Sequence, residues 1–424
     1  MIRRVAGLQG IGYTLLVLLG TLAWTSWANG QSLGPAESFF EVQLRAVDAM
    51  ETQLGRVAEI ADRGADRLRR GGRIYLCGEK GIVAELLGRA GGLCGAKALS
   101  LEKPVALTAN DVVLLSDYGT PGKLEAALAK LTPSKALVIV FASDKQPLLG
   151  SVGKEDVCAL GVDIPLEHRL LRAGDGSRRI PTASPAISAA EWTYVAELLA
   201  ACRRQRSQLA VYLSINLDPG RRRFERTKSL LFEPDVRPQP IPPGQYGRAF
   251  LNRLRASLTA IRDHQMGQIR QAAAWLREAK LAGRRIVRNM HGHLPPIEAG
   301  TVGDVDFFTD TVRGLGAQGV DWIRKNLHQG DVYFLVGYQQ NEDAMATAAT
   351  QQGARTVFLT STPPGLEESH DSRHLYIDPH WPVSDGCLDL VGYDVKACPL
   401  SAILNMSCYW ATCAEVVAIP TSGQ

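Results

Sequence analysis

The same plan occurs twice along this chain, and the repeat limits the possible folds more than any other feature. Each half opens with a long amphipathic stretch. Phe40, Leu44, Val47, Leu54, Val57, Ala61 and Leu68 recur at helical spacing before Gly71-Gly72. Phe250, Leu254, Leu258, Ile261, Ile269, Ala273 and Leu276 do the same before Gly283. Strand-like runs follow, RIYLCG from Arg73 and RIVRNM from Arg285, 212 residues apart. DVVLLSDYG from Asp111 is answered by DVYFLVGYQ from Asp331 after 220 residues, and KALVIVFAS (135–143) by ARTVFLTS (354–361). Pro185 and Pro399, 214 residues apart, open two long closing helices.

Continuous apolar strands alternating with helices predict a parallel sheet covered on both faces. The predicted fold class is therefore α/β: two tandem three-layer αβα domains, each with a central parallel sheet. The first spans 38–205 and the second 248–420. Between them, 206–247 holds one strand-like run (LAVYLSIN), the basic run GRRRFER and five prolines from Pro234 to Pro243, and reads as a stiff connector.

A length of 424 residues, 46% hydrophobic and 21% charged, suits two globular domains rather than a disordered chain. A net charge of +4 gives no reason to expect a nucleic-acid partner, and GRRRFER reads as a solvated face. The N-terminus is a separate unit. MIRR, the apolar run Ile11–Trp24, and Ser26 and Ala28 at the −3 and −1 spacing predict a signal peptide over 1–30, hence export to a periplasmic or extracellular space. The alternative is a signal anchor in the membrane. Export would make the eight cysteines eligible for disulfides, but no Cys-x-x-Cys pair occurs and several sit in apolar contexts; buried thiols are expected.

In such sheets ligands bind where strands end and helices begin. After the first strand, Gly78 and Lys80 flank a turn suited to an anion, and Glu85 follows on the next helix. After the second, Ser116, Gly119 and Thr120 offer hydroxyls and a flexible backbone. A phosphate held there with Glu85 nearby suits proton transfer beside a sugar carbonyl. The second half has another inventory: His291 and His293 after its first strand, Tyr338 and Gln339 after its second, and His380 later. The histidines, with Asp378 or Asp385 as other candidates, would make a divalent-metal site of the zinc type. Tyr338 and Gln339 would bind a sugar by stacking and hydrogen bonds.

These residues resemble the sugar-isomerase (SIS) domains of phosphosugar isomerases and regulators. GGRIYLCG, AELLGR (84–89), DVVLLSDYGTPG (111–122) and SPAISAAEWTYVAELL are similar to the phosphoheptose isomerase branch, and the second half to more divergent SIS domains. The resemblance covers most of 38–418. It implies that Glu85 is the catalytic and metal-binding glutamate, and that Ser116, Gly119 and Thr120 lie on the phosphate loop. It also implies a homodimer surface on the leading helices. The departures point the other way. Gly81 stands where the family has a histidine one turn before the glutamate, and Glu79-Lys80-Gly81-Ile82 replaces Asn-Gly-Gly-Ser. Asp117 and Tyr118 occupy positions of small hydroxylated residues. The expectation is an exported tandem SIS-domain protein that binds a sugar or sugar-phosphate derivative without an intact isomerase mechanism. The alternatives are a metal-dependent aldose–ketose sugar-phosphate isomerase and a non-catalytic scaffold whose leading helices pack between halves.

Overall fold

The computed structural model describes residues 33–418 apart from 104–105, 121, 144–155, 165–169, 173–177, 215–217, 299–307, 313–315, 339–342, 362–371, 383–384 and 394. The predicted signal segment lies outside the described residues. The first half runs α1 (Pro35–Thr52), α2 (Leu54–Arg69), β1 (Ile74–Gly78), α3 (Lys80–Leu86), β2 (Ala96–Ala98), β3 (Val112–Asp117), α4 (Lys123–Leu131), β4 (Leu137–Ala142) and β5 (Val157–Gly161). A hairpin, β6 (Leu170–Arg172) and β7 (Arg178–Pro181), leads into α5 (Ala183–Arg204), and α6 (Asp218–Thr227) lies in the connector. The second half runs α7 (Gln245–His264), α8 (Met266–Leu281), β8 (Ile286–Met290), α9 (Pro295–Glu298), β9 (Asp310–Thr311), α10 (Ala317–Asn326), β10 (Val332–Val336), α11 (Asp343–Gln351), β11 (Arg355–Leu359) and β12 (His374–Ile377). It too closes with a hairpin, β13 (Gly386–Asp389) and β14 (Lys396–Pro399), and a long helix, α12 (Ser401–Ala418).

Both sheets are parallel and have one topology. The orders β2-β1-β3-β4-β5 and β9-β8-β10-β11-β12 are each, counted within a half, 2-1-3-4-5. Alternation along the strands decides which side faces what. Ile74, Leu76, Val112 and Leu114 join Ile286, Val332, Phe334 and Val336 in one core shared by the halves, with the long helices in it. Tyr75, Val113 and Leu115 face α4, and Val287, Tyr333 and Leu335 face α10 and α11, in separate outer clusters. The three layers of each half thus follow from strands that are apolar on both faces.

The repeat extends to single side chains. Asp111 accepts the backbone N–H of Arg73 (2.9 Å) and of Thr108 (2.6 Å), fixing the start of β1 beside β3. Asp331 accepts those of Arg285 (2.9 Å) and His328 (2.8 Å) in the same way. The leading helix of each half is broken at a glutamine, Gln53 and Gln265, whose ψ of 0° departs from helical geometry. Each glutamine amide then reaches the exit of its own fifth strand: Gln53 Nε2 donates to Gly161 O (2.9 Å), and Gln265 Oε1 accepts from Asp378 N (3.1 Å).

That break lets each leading helix serve both halves. α2 packs on α5 and α8 on α12, within their own halves, whereas α1 packs on α12 and α7 on α5, across them. A carboxylate of the opposite half receives each crossing helix. Glu197 of α5 accepts from Gly244 N (2.8 Å) and Gly247 N (2.7 Å) at the start of α7, and Glu415 of α12 accepts from Ala36 N (3.1 Å) in α1. These bonds satisfy N–H groups that a helix start leaves unpaired, and place negative charge at the positive end of the dipole. The described residues from Pro35 to Ala418 accordingly form one compact unit. The connector is not merely a spacer. Ala210 O and Tyr212 O accept from Cys94 N (2.9 Å) and Gly91 N (2.8 Å), which seats its first segment against the loop after α3.

Candidate functional site

Sheets of this order change winding direction between their first and third strands, and the resulting crevice is where ligands bind. In the first half the crevice lies between Gly78 and Ser116, partners in register. Gly78 (φ +105°) has a reason to be glycine that involves no ligand: a Cβ there would meet Ser116 O at 2.1 Å. The Ser116 hydroxyl is also committed. It is buried, accepts from Glu79 N (3.0 Å) and donates to Cys77 O (3.3 Å). These two predicted ligand residues are therefore occupied in holding the strand ends together. Lys80 and Thr120 are exposed and Gly119 (φ +85°) half-exposed, so they remain open to a ligand. Lys123 lies beside them and pairs with Glu79 at 2.7 Å.

Glu85 is fully buried. Its Oε1 accepts from the Arg89 guanidinium one turn on, a contact in which both side chains are excluded from water, and from Trp192 Nε1 of α5 (3.2 Å). The other side of Arg89 belongs to the second half: Nη2 donates to Asp385 Oδ2 (2.5 Å) and Ser401 Oγ (2.8 Å). Asp385 also accepts from Ser401 N (3.0 Å), Ser401 Oγ (3.1 Å) and Tyr338 Oη (2.7 Å). The result is one buried network, Glu85–Arg89–Asp385, that sews α3 to the segment between β12 and α12. Burial pushes the Glu85 carboxyl up to about 7, with Asp385 adding to the rise and Arg89 opposing it. Burial, and then the Glu85 charge, hold the buried Glu191 of α5 well above the ordinary carboxylate range.

The place of the missing histidine is filled from the other half. A Cβ on Gly81 would meet Glu298 Oε1 at 2.2 Å and Leu294 Cδ1 at 2.9 Å. That same Glu298 oxygen accepts from Tyr118 Oη (2.8 Å). Gly81 and Tyr118, two departures from the resembling family, are thus explained together: both make room for, or bind, a carboxylate of α9.

The second crevice, between Met290 and Val336, differs. Tyr338 does not present its ring or hydroxyl freely. The ring stacks on Trp381 (centroids 5.6 Å, planes 23° apart), and the hydroxyl is held by Asp385. Gln339 lies outside the described residues. Burial lowers His291 to about 4. Burial, then the Arg89 charge, lowers His293 to about 4, so both rings are neutral near pH 7. His380 pairs instead with Asp378, Nδ1 to Oδ2 at 3.3 Å. The predicted grouping of His291, His293 and His380 is not formed. Among the described residues no three His, Cys, Asp or Glu side chains are arranged to hold a metal ion. The Arg89 cation beside His293 opposes a second positive charge there.

Sequence reasoning overlooked Arg89 as a partner, along with Ser401, Trp192 and Glu298. Only Arg89 had a local signal, its i,i+4 spacing from Glu85.

No protein-family model matches the chain, and no curated protein is similar to it. Solved structures are similar in architecture. One is a protein assigned as a phosphosugar isomerase from Silicibacter pomeroyi DSS-3 (12% identity, TM-score 0.45, covering 90% of this chain and 97% of that one). Another is the C-terminal domain of glucosamine-fructose-6-phosphate aminotransferase from Francisella tularensis (8%, TM-score 0.46, 88% and 96%). A third is glucosamine-6-phosphate deaminase from Thermotoga maritima (8%, TM-score 0.38, 88% and 94%). Two further neighbours are also described as phosphosugar isomerases. At such identities and scores the likeness says nothing of substrate or reaction.

Proposed function

We propose that this protein binds an anionic sugar derivative, such as a sugar phosphate, at the strand ends of its first half, and does not isomerise it. One observation carries the reading. Glu85, the carboxylate that proton transfer would require, is fully buried and paired with Arg89, while Lys80, Thr120 and Lys123 stay accessible at the same strand ends. A phosphate beside Thr120 would compete with Glu79 for Lys123. That pair is partly exposed, and such pairs contribute only about 0–1 kcal/mol.

The test is a thermal-shift panel of sugar phosphates and their neutral parent sugars on the full chain. Stabilisation by one or more phosphates, reduced by Thr120→Ala and Lys123→Ala, supports the reading. A flat response to every member contradicts it, and would favour the scaffold reading, which the crossing of α1 and α7 supports. The N-terminal segment further supports export; a mature chain beginning near Asn29 after fractionation would establish it.

A further inference from the structure

The hairpin before α12 carries two of the eight cysteines. Its register pairs Gly386 with Pro399 and Leu388 with Ala397, which sets Cys387 opposite Cys398. Directly opposed residues of an antiparallel pair have Cα atoms about 4.5–5.5 Å apart, inside the span of about 4.4–6.8 Å that a disulfide bridges. Cys387 Sγ already lies 3.1 Å from the carbonyl oxygen of Cys398. The other six are buried elsewhere, in β1, β5, α5, α12 and the loop after α3. Both hairpin thiols are free in this structure.

We propose that Cys387 and Cys398 are a disulfide-forming pair whose bond staples the hairpin that presents Asp385 and Ser401 to Arg89. The hairpin has something to gain from a staple. Asp385 (φ +62°) and Cys398 (φ +56°) hold left-handed backbone angles unfavourable to side chains other than glycine, so surrounding contacts must hold them there. Asp385 directly precedes β13, and Ser401 follows β14 after one residue. Fixing the two strands therefore fixes both second-half partners of Arg89.

The chemistry is thiol–disulfide exchange with a small or protein disulfide. Cys387, half-buried, attacks as the thiolate, forming a mixed disulfide and releasing one thiol of the oxidant. The Cys398 thiolate then displaces the second thiol, closing the Sγ–Sγ bond. Two electrons and two protons pass from the cysteine pair to the oxidant. Burial pushes the Cys387 thiol up to about 12, which keeps its thiolate fraction small in the folded chain. The proposal is independent of what the protein binds.

The test refolds the full chain in a buffer of equal oxidised and reduced glutathione, quenches with acid, alkylates and maps peptides by mass. The expected result is a majority of molecules with the Cys387 and Cys398 peptides linked, and a lower melting temperature after reduction that Cys387→Ser shows without reductant. Cys398→Ser, which leaves the more accessible thiol, should carry a glutathione adduct on Cys387. Full alkylation of both residues in that buffer, or linkage of either to another cysteine, would overturn the proposal.

Discussion

In the first half the crevice between β1 and β3 leads inward to an ion-pair network, Glu85–Arg89–Asp385. In the second, the crevice between β8 and β10 ends in the stacked rings of Tyr338 and Trp381, with neutral His291 and His293 nearby. Yet Asp111 and Asp331, Gln53 and Gln265, and Glu197 and Glu415 do the same work in each half. The halves therefore retain the devices that build the scaffold and differ where a ligand would meet it. The two crevices are also not separate. Asp385 and Glu298 of the second half complete the surroundings of Glu85 and Tyr118 in the first.

The comparison can be broken most forcefully at Arg89. Arg89→Met leaves Glu85 and Asp385 buried without their cation, and should cost about 3–5 kcal/mol in chemical denaturation. Arg89→Met with Glu85→Gln should recover part of that loss. A change below about 1 kcal/mol would mean the network does not hold the seam.

Next comes pH. The folded state keeps the Glu85 proton up to about pH 7, while the unfolded chain releases it near the ordinary carboxyl value of 4.5. Stability contributed by this group is thus complete below 4.5, falls as pH rises to about 7, and is constant above. Glu85→Gln should remove about 1–3 kcal/mol of that fall, measured as urea midpoints at pH 5 and pH 7.5. Glu191, shifted the same way, leaves a residual slope.

A smaller effect tests the shared scaffold. Glu197→Gln and Glu415→Gln should each destabilise by about 0.5–2 kcal/mol, with Glu197 the larger because it receives two backbone N–H groups rather than one. Smallest is Glu79→Ala. Freeing Lys123 should tighten binding of a sugar phosphate a few-fold, by about 1 kcal/mol or less, and leave a neutral sugar unaffected.

Much of this scaffold was legible because it is written in periodicity. Continuous apolar runs between helical stretches marked β1, β3 and β4 and their counterparts, and the glycines and prolines marked where helices stop and start. The short strands β2 and β9, of three and two residues, were not, since so few residues carry no period. LAVYLSIN reads as a strand, but among its described residues, 209–214, Leu209 and Val211 form isolated bridges rather than a ladder. Glu85, Gly119 and Thr120 were singled out by local pattern, and the structure places Glu85 in a buried ion pair and the other two at an open strand end. Asp385 was not visible as a partner, being 296 residues from Arg89, and nothing near Gly81 announces that Glu298 will occupy the space above it. Ser116 misled because a hydroxyl at a strand end looks the same whether it faces a ligand or its own backbone.

The central claim, a phosphosugar-type crevice whose proton-transfer group is sealed away, is tested most directly by carbon–hydrogen exchange. The purified chain would be incubated in D2O with the aldose and ketose phosphates that stabilise it, and deuterium next to the carbonyl followed by NMR. Binding without incorporation above the protein-free rate is the predicted result. Incorporation that disappears in Glu85→Gln would contradict the account.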